Sequence, residues 1–500
     1  MNTKHDLTQG ASCVLEGPLD PCTIVIFGAT GDLTTRKLMP ALFKLYSNQA
    51  LPQNFIIAGS GRTPLNDHEF REKTKTALSR LENPDIQKIN AFLSRVHYHP
   101  VNFHEPASFD LFADRIDNIE QKRGLSGNRL IYFALPPSLY AHAAELVGGS
   151  KLCEPKQDNW IRLVVEKPFG QDLESAQELD AVLHRFFKEE QIFRIDHYLA
   201  KETVQNILIF RFANSIFEPL WNRRYIDYVD IIAAESIGIG KRASYYEQAG
   251  VLRDMFQNHM MQLLALIAME PPASFEASTV RSEKVKIFQA LRPIPLDKID
   301  NFLKLGQYGA GIVDGKAVPG YREEPGVAPD SKVPTYAAMK IFLDNWRWQG
   351  VPFYVTSGKR LPKKITQIAI QFKEVPHSMF RNILGEHIMA NRLVIAIAPE
   401  EKISLTFQTK APGPKICLHS VTMDFSYEGL SNKPMLDAYE KVLIDCIQGD
   451  QMLFWHQEGV EKCWAFLTPV LKRIETPDMP IPLHIYKAGT WGPMFPKQNE

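Results

Sequence analysis

The stretch Thr23–Leu42, TIVIFGATGDLTTRKLMPAL, is apolar through Phe27, passes Gly28, Ala29, Thr30 and Gly31, and continues into a charged segment of helical character. A short apolar strand, a glycine turn and a helix are the opening of a βαβ unit. The free N–H groups at a helix N-terminus attract phosphate, and glycine lets the backbone approach it. Gly-x-x-Gly is shorter than the full Gly-x-Gly-x-x-Gly fingerprint, so by itself it is either a phosphate cradle or an ordinary strand-to-helix turn.

Working outward, the pattern repeats. FIIA (55–58), VHYHPV (96–101), RLIYFAL (129–135), IRLVVE (161–166) and IFRID (192–196) are further short strands, with helical stretches between them, including Asp172–Lys188. Strands alternating with helices imply a parallel sheet covered on both faces. Six strands suit a complete Rossmann-type, doubly wound dinucleotide-binding domain, placed here at residues 1–196. Beyond Asp196 the pattern changes. Gly250–Glu270 is helical, 309–334 is rich in Pro and Gly and is expected to be an irregular loop, and five later runs alternate at period two. These predict an α+β second domain, residues 197–500, with helices and a large, mainly antiparallel sheet. No internal repeat or low-complexity tract is evident.

The length of 500 residues is more than one core accommodates, in keeping with two domains. Lys+Arg and Asp+Glu both number 57, so no overall field favours nucleic acid or an acidic membrane. No apolar run is long enough to span a bilayer, and the first residues lack the apolar core of a secretory signal. The six cysteines form no CxxC pair, which argues against a zinc site or a disulfide framework and suits a reducing cytoplasmic setting.

Specific chemistry concentrates in a few places. FIIAGSGRT ends the second strand with Arg62 and no carboxylate, which favours a 2′-phosphate, hence NADP over NAD; the other reading is a solvated surface arginine. Lys167, in VVEKPFGQD, follows the fifth strand at the carboxyl edge of the sheet, where it meets either a ligand or only solvent. RIDHYLAKE holds Asp196, His197, Tyr198 and Lys201 within six residues, a phosphate grip or a polar hinge. LRDMFQNHMMQ places Asp254 and His259 on an otherwise apolar helix, where His259 is either a general base or a satisfied core histidine.

Taken together and in order, GATGDLTTRKL, EKPFG, RIDHYLAKE and RDMFQNHMMQ resemble the glucose-6-phosphate dehydrogenase family. The likeness continues through FEPLWNRRYI, EKVKIFQALRPI, DNWRWQGVPFYVTSGKRLPKK, DAYEKVLIDCIQGDQMLF and YKAGTWGP, spanning Ile24 to Pro493. The resemblance implies oxidation of the C1 hydroxyl of glucose 6-phosphate to a lactone, with hydride transfer to NADP and no metal. It implies His259 as general base with Asp196 as its orienting partner, and His197, Tyr198 and Lys201 as the grip on the 6-phosphate. It further implies Glu235, Asp254, Lys359 and Lys364 as sugar contacts, with Lys37 and Lys167 near both sugar and cofactor. Gly28, Ala29, Thr30, Gly31, Asp32, Leu33, Thr34 and Thr35 match the cofactor loop, Arg62 the 2′-phosphate partner and Tyr140 a further cofactor contact. It also implies a homodimer through the second sheet, or a pair of such dimers as a homotetramer. Two positions depart from the family's usual residues: Ala200 replaces Gly, and Thr34 replaces Ala. An enzyme for a different hexose and a catalytically silent NADP-binding scaffold are the alternatives; retention of Asp196, Lys201 and His259 together disfavours the scaffold.

Overall fold

The computed structural model describes residues 18–82, 85–154, 156, 159–196, 198–380, 388–414, 417–426, 436–476 and 481–496. The chain divides into two compact units, one drawn from residues 1–132, 150–162 and 443–449, the other from 133–149, 163–442 and 450–500.

The first strand, β1 (Cys22–Phe27), leads into a helix that opens with a π-turn, Thr34–Leu38, and continues as α1 (Met39–Ser47). There follow β2 (Phe55–Gly61), α2 (Asp67–Leu78), α3 (Ile86–Leu93), β3 (Val96–Pro100), α4 (Ala107–Arg123), β4 (Arg129–Phe133), α5 (Tyr140–Gly148), β5 (Ile161–Val165), α6 (Leu173–His184) and β6 (Ile192–Arg194). These strands form one sheet in the order β3-β2-β1-β4-β5-β6, that of a dinucleotide-binding sheet. The β1/β2, β2/β3 and β5/β6 pairs are parallel. Every residue of β1 and β2 is buried, which is why both read as continuous apolar runs rather than alternating ones. The chain order reverses beside β1, so the carboxyl end of β1 is a topological switch point, where ligands of such sheets bind.

Later in the chain come α7 (Glu202–Phe212), β7 (Ile226–Ala234), α8 (Ala243–Val251), a π-helical segment Leu252–Met260, α9 (Met261–Ala268) and α10 (Ala277–Gln289). Ten strands follow: β8 (Leu303–Gly309), β9 (Gly311–Val313), β10 (Lys316–Val318), β11 (Tyr336–Ile341), β12 (Phe353–Gly358), β13 (Ile365–Phe372), β14 (Arg392–Ala398), β15 (Lys402–Lys410), β16 (Leu418–Ser426) and β17 (Leu483–Lys487). Nine strands form a second sheet, β16-β15-β14-β13-β7-β12-β11-β8-β17. It is mainly antiparallel, with parallel pairs at β7/β12 and β8/β17.

The segment 309–334 is not simply irregular. It contains the β9–β10 hairpin, whose two-residue turn is Asp314-Gly315 with φ of 49° and 75°. Asp-Gly is the pair that accepts two positive φ angles in succession, so the composition that suggested a loop is that of a hairpin turn.

Among the described residues no helix is long and apolar enough to cross a membrane. No disulfide joins the described cysteines Cys22, Cys153, Cys417, Cys446 and Cys463.

Candidate active site

The glycine turn after β1 is built for close approach. Gly28 has φ 84°, which an L side chain rarely adopts, and its N–H donates to Ser60 O at 2.9 Å. A Cβ on Gly31 would lie 3.0 Å from Gly28 O. Thr34 is buried, and its hydroxyl donates to Gly28 O at 3.1 Å, while the Thr35 hydroxyl donates to Gly31 O at 2.8 Å. Thr34 thus adds a tie across the turn. Phe27 and Ser60 are register partners, which puts Arg62 just past the end of the strand adjacent to this turn. Arg62 is exposed and has no carboxylate partner among the described residues. A bare backbone turn at a helix start, with an available guanidinium beside it, fits the pyrophosphate and 2′-phosphate of a nicotinamide dinucleotide. Lys37 is exposed on the following helix.

The other unit holds a dense polar cluster. His259 and Asp196 are buried, and His259 Nδ1 lies 2.5 Å from Asp196 Oδ1. The Asp196 carboxylate also accepts from Tyr198 N at 3.0 Å, which anchors it within its own turn. Burial lowers the His259 pKa below the ordinary 6.5; Asp196 opposes that effect, and Lys167 adds to it. An imidazole held neutral, with one nitrogen committed to a carboxylate, leaves Nε2 as a proton acceptor.

The Tyr198 ring stacks on His259 at 4.0 Å between centroids, and Lys201 Nζ stands 4.7 Å from the Tyr198 ring centre. Lys201 is the N-cap residue of α7, whose Thr203 N–H and hydroxyl donate to the Glu401 carboxylate at 3.3 and 2.8 Å. Burial lowers the Lys201 pKa; the Glu401 charge raises it and the Lys364 charge lowers it. Two ammonium groups that repel one another favour an anion between them.

Asp254 is buried and accepts from Lys167 Nζ at 3.1 Å and from Tyr245 OH at 3.1 Å, with Arg242 at 3.7 Å. Burial alone would raise its pKa, but Lys167, Lys359 and Arg242 hold it well below the carboxylate range. Lys359, buried, pairs with Glu235 and lies 5.2 Å from the Tyr246 ring centre. Asp254 and His259 lie five residues apart, which an α-helix would turn to different faces. Both sit in the π-helical segment, whose wider i→i+5 turn brings such residues closer in angle.

The structure therefore gathers Lys167, Asp196, Tyr198, Lys201, Glu235, Asp254, His259, Lys359 and Lys364 through contacts and charge. Gly28–Thr35, Lys37 and Arg62 belong to the other unit. Tyr140 is buried at the start of α5, its pKa raised by burial and by the Glu166 charge. His197 lies outside the described residues. Ala200 is buried and is not among the residues with positive φ, so its methyl carries no backbone strain. Sequence reading passed over Arg242, Tyr245 and Glu401. Each is an ordinary polar residue in its local sequence, and only chain folding brings it to the cluster.

Comparison with known proteins identifies the family. Residues 25–206 match the family "Glucose-6-phosphate dehydrogenase, NAD binding domain", and residues 208–498 match "Glucose-6-phosphate dehydrogenase, C-terminal domain". The chain is 46% identical over 473 residues to glucose-6-phosphate 1-dehydrogenase of Aggregatibacter actinomycetemcomitans, covering 94% of each chain. The Bacillus subtilis enzyme of the same name is 41% identical over 471 residues, again covering 94% of each. A solved glucose-6-phosphate dehydrogenase in complex with its substrate glucose-6-phosphate superposes with a TM-score of 0.88 at 36% identity, over 96% of this chain and 97% of that one. Both halves of the sequence, the fold and the order of the site motifs lead to one assignment: the chain belongs to the glucose-6-phosphate dehydrogenase family.

Proposed function

We propose that this chain oxidises the C1 hydroxyl of glucose 6-phosphate to 6-phosphogluconolactone, with NADP as the preferred acceptor and NAD as a second one. The observation that carries the reading is the buried Asp196–His259 pair, at 2.5 Å, with Tyr198 stacked on its imidazole and Lys201 beyond that ring.

In this reading Lys201 and Lys364, with His197, hold the 6-phosphate. Their charges are fixed before the sugar arrives, so binding needs little reorganisation. Glu235, Lys359, Asp254 and Lys167 orient the sugar hydroxyls. His259 Nε2 takes the C1 hydroxyl proton, and Asp196 stabilises the imidazolium that results. The nicotinamide dinucleotide, when bound, accepts the hydride from C1. Gly28–Thr35 would hold that dinucleotide and Arg62 its 2′-phosphate; Tyr140 and Lys37 keep the roles that the family resemblance gives them. The functional boundary is at residues 196–197.

β16 is an edge strand of the second sheet and exposes Met423 and Phe425, two residues apart and therefore on one face. An exposed edge with an apolar face calls for a cover, and a second copy of the chain supplies it as a homodimer, with a homotetramer as a pair of dimers.

Steady-state kinetics tests the function. Turnover is expected with glucose 6-phosphate and not with glucose, and kcat/KM is expected to be higher with NADP than with NAD. Equal kcat/KM for glucose and glucose 6-phosphate would reject the phosphate grip, and no turnover with any hexose would leave a silent binding protein.

A further inference from the structure

One buried charge is left unused by the reaction scheme. Lys284 is on α10 and only 3% exposed. It occupies a core position, between the buried Val280 one turn before it and Phe288 one turn after it. A lysine in such a position is costly unless its charge has a purpose, because an ammonium removed from water must find compensation. Its ammonium donates a hydrogen bond to Gln262 Oε1 at 3.1 Å. Gln262 is itself buried and stands three residues after His259, a separation that places it beside His259 on the helix surface.

The surroundings lead back to Asp196. The Phe288 ring stacks on Trp455 at 5.4 Å, and Trp455 N donates to Arg194 O at 3.1 Å, two residues before Asp196. Arg281, three residues before Lys284, donates to Gln451, which in turn donates to Ile192 O on the same strand. The α10 face carrying Arg281 and Lys284 is thus tied to β6, the strand that leads into Asp196. The charges acting on Lys284 are Arg281 from its own helix and Asp196 from the strand end; burial is the largest influence and draws its pKa down to about 7. The charges facing the pair itself are Lys167 and Asp254 on His259, and Lys201 and Lys284 on Asp196.

We propose that Lys284 is a positioning residue of the reaction: its buried ammonium, held by Gln262, is the counter-charge that keeps Asp196 ionised and aligned on His259. With His259 neutral, the Asp196–His259 pair carries one buried negative charge. That charge needs a cation that does not compete with substrate, and Lys284, buried and bonded to Gln262, is such a cation. The inference rests on the assignment of His259 as base.

The sign of the effect can be worked out. A nearby cation opposes proton uptake by the pair. Below neutral pH, where the acid limb of kcat/KM reports that uptake, Lys284 is charged. Lys284→Met should therefore move the acid limb to higher pH by about one unit, the low end of what a neighbouring charge produces. The same variant should lower kcat about tenfold, with KM for glucose 6-phosphate changed less than about twofold. Lys284→Arg, which keeps the charge, should restore most of the limb position. An unchanged limb and kcat in folded Lys284→Met would overturn the proposal, as would a loss that Lys284→Arg does not rescue. Should Lys284→Met fail to fold, Gln262→Leu releases the ammonium from its holder and should shift the limb in the same direction by a smaller amount; an unmoved limb there also overturns it. His259→Asn assayed alongside separates the two failures. Turnover retained in His259→Asn rejects the base itself, whereas its loss together with an unmoved limb in Lys284→Met rejects only the role of Lys284.

Discussion

At His259, burial and a carboxylate act in opposite directions on one imidazole, and burial prevails. The group titrates below its ordinary value of 6.5, so the neutral, proton-accepting form persists below that pH. The acid limb of kcat/KM is therefore expected below pH 6.5; a limb at or above that value would mean that another group limits the rate. The stability consequence has a definite sign. The unfolded chain binds a proton at His259 more readily than the folded one, so this residue's contribution is present above pH 6.5 and declines as the pH falls through it. His259→Asn should lower kcat by about 10²–10⁴ while leaving substrate affinity near normal, as read by equilibrium binding of glucose 6-phosphate. Lys201 acts at another point. Its ammonium stands beyond Tyr198 and feels the Lys364 charge, so Lys201→Ala should raise KM for the sugar phosphate far more than KM for the dinucleotide. Comparable changes in both would remove Lys201 from the phosphate grip. RIDHYLAKE was legible as a polar concentration because its residues are contiguous. The partnership of Asp196 with His259, 63 residues away, was not, because no local pattern encodes which distant helix returns to a strand end.

The elements add constraints that single residues do not show. The turn between β1 and α1 depends on Gly28 at φ 84°. Gly28→Ala forces a methyl into that conformation at a cost of about 1–2 kcal/mol and tilts the N–H groups proposed to hold the dinucleotide. Its expected signature is a lower Tm together with a raised KM for NADP, KM for glucose 6-phosphate being unaffected; an unchanged KM for NADP would make the turn purely structural. The π-helical segment Leu252–Met260 is the element that sequence reading could describe only as helical. Apolar periodicity locates a helix, but the choice of i→i+5 over i→i+4 bonding is made by packing and by the buried polar side chains it must place. The β9–β10 hairpin shows the converse: its signal was present in Asp314-Gly315 and was outweighed by the prolines and glycines around it. β7 and β11 are strands of the second sheet that the alternating-run reading did not include; their largely buried residues leave little polar alternation to detect.

For the whole molecule, the β16 edge of the second sheet exposes apolar side chains at Met423 and Phe425. If a second copy covers that face, Phe425→Asp places a charge in the contact and should shift the chain to a smaller species in sedimentation or light scattering, with the fold retained by circular dichroism. An unchanged mass would place any assembly contact elsewhere. The sequence by itself determined the alternation of strands and helices, the division into a parallel and a mainly antiparallel part, and the residue types available for catalysis. These follow from local periodicity and from the motifs around Gly28, Lys167, Asp196 and His259. Tertiary structure alone decided which of those residues meet. It set Asp196 on His259, Lys167 on Asp254 and Glu235 on Lys359, and it placed Lys284 in the core on the Asp196 side. The physical reason is that burial and charge pairing depend on distance in space. Two groups far apart in the chain affect each other's protonation only after folding has excluded the water between them.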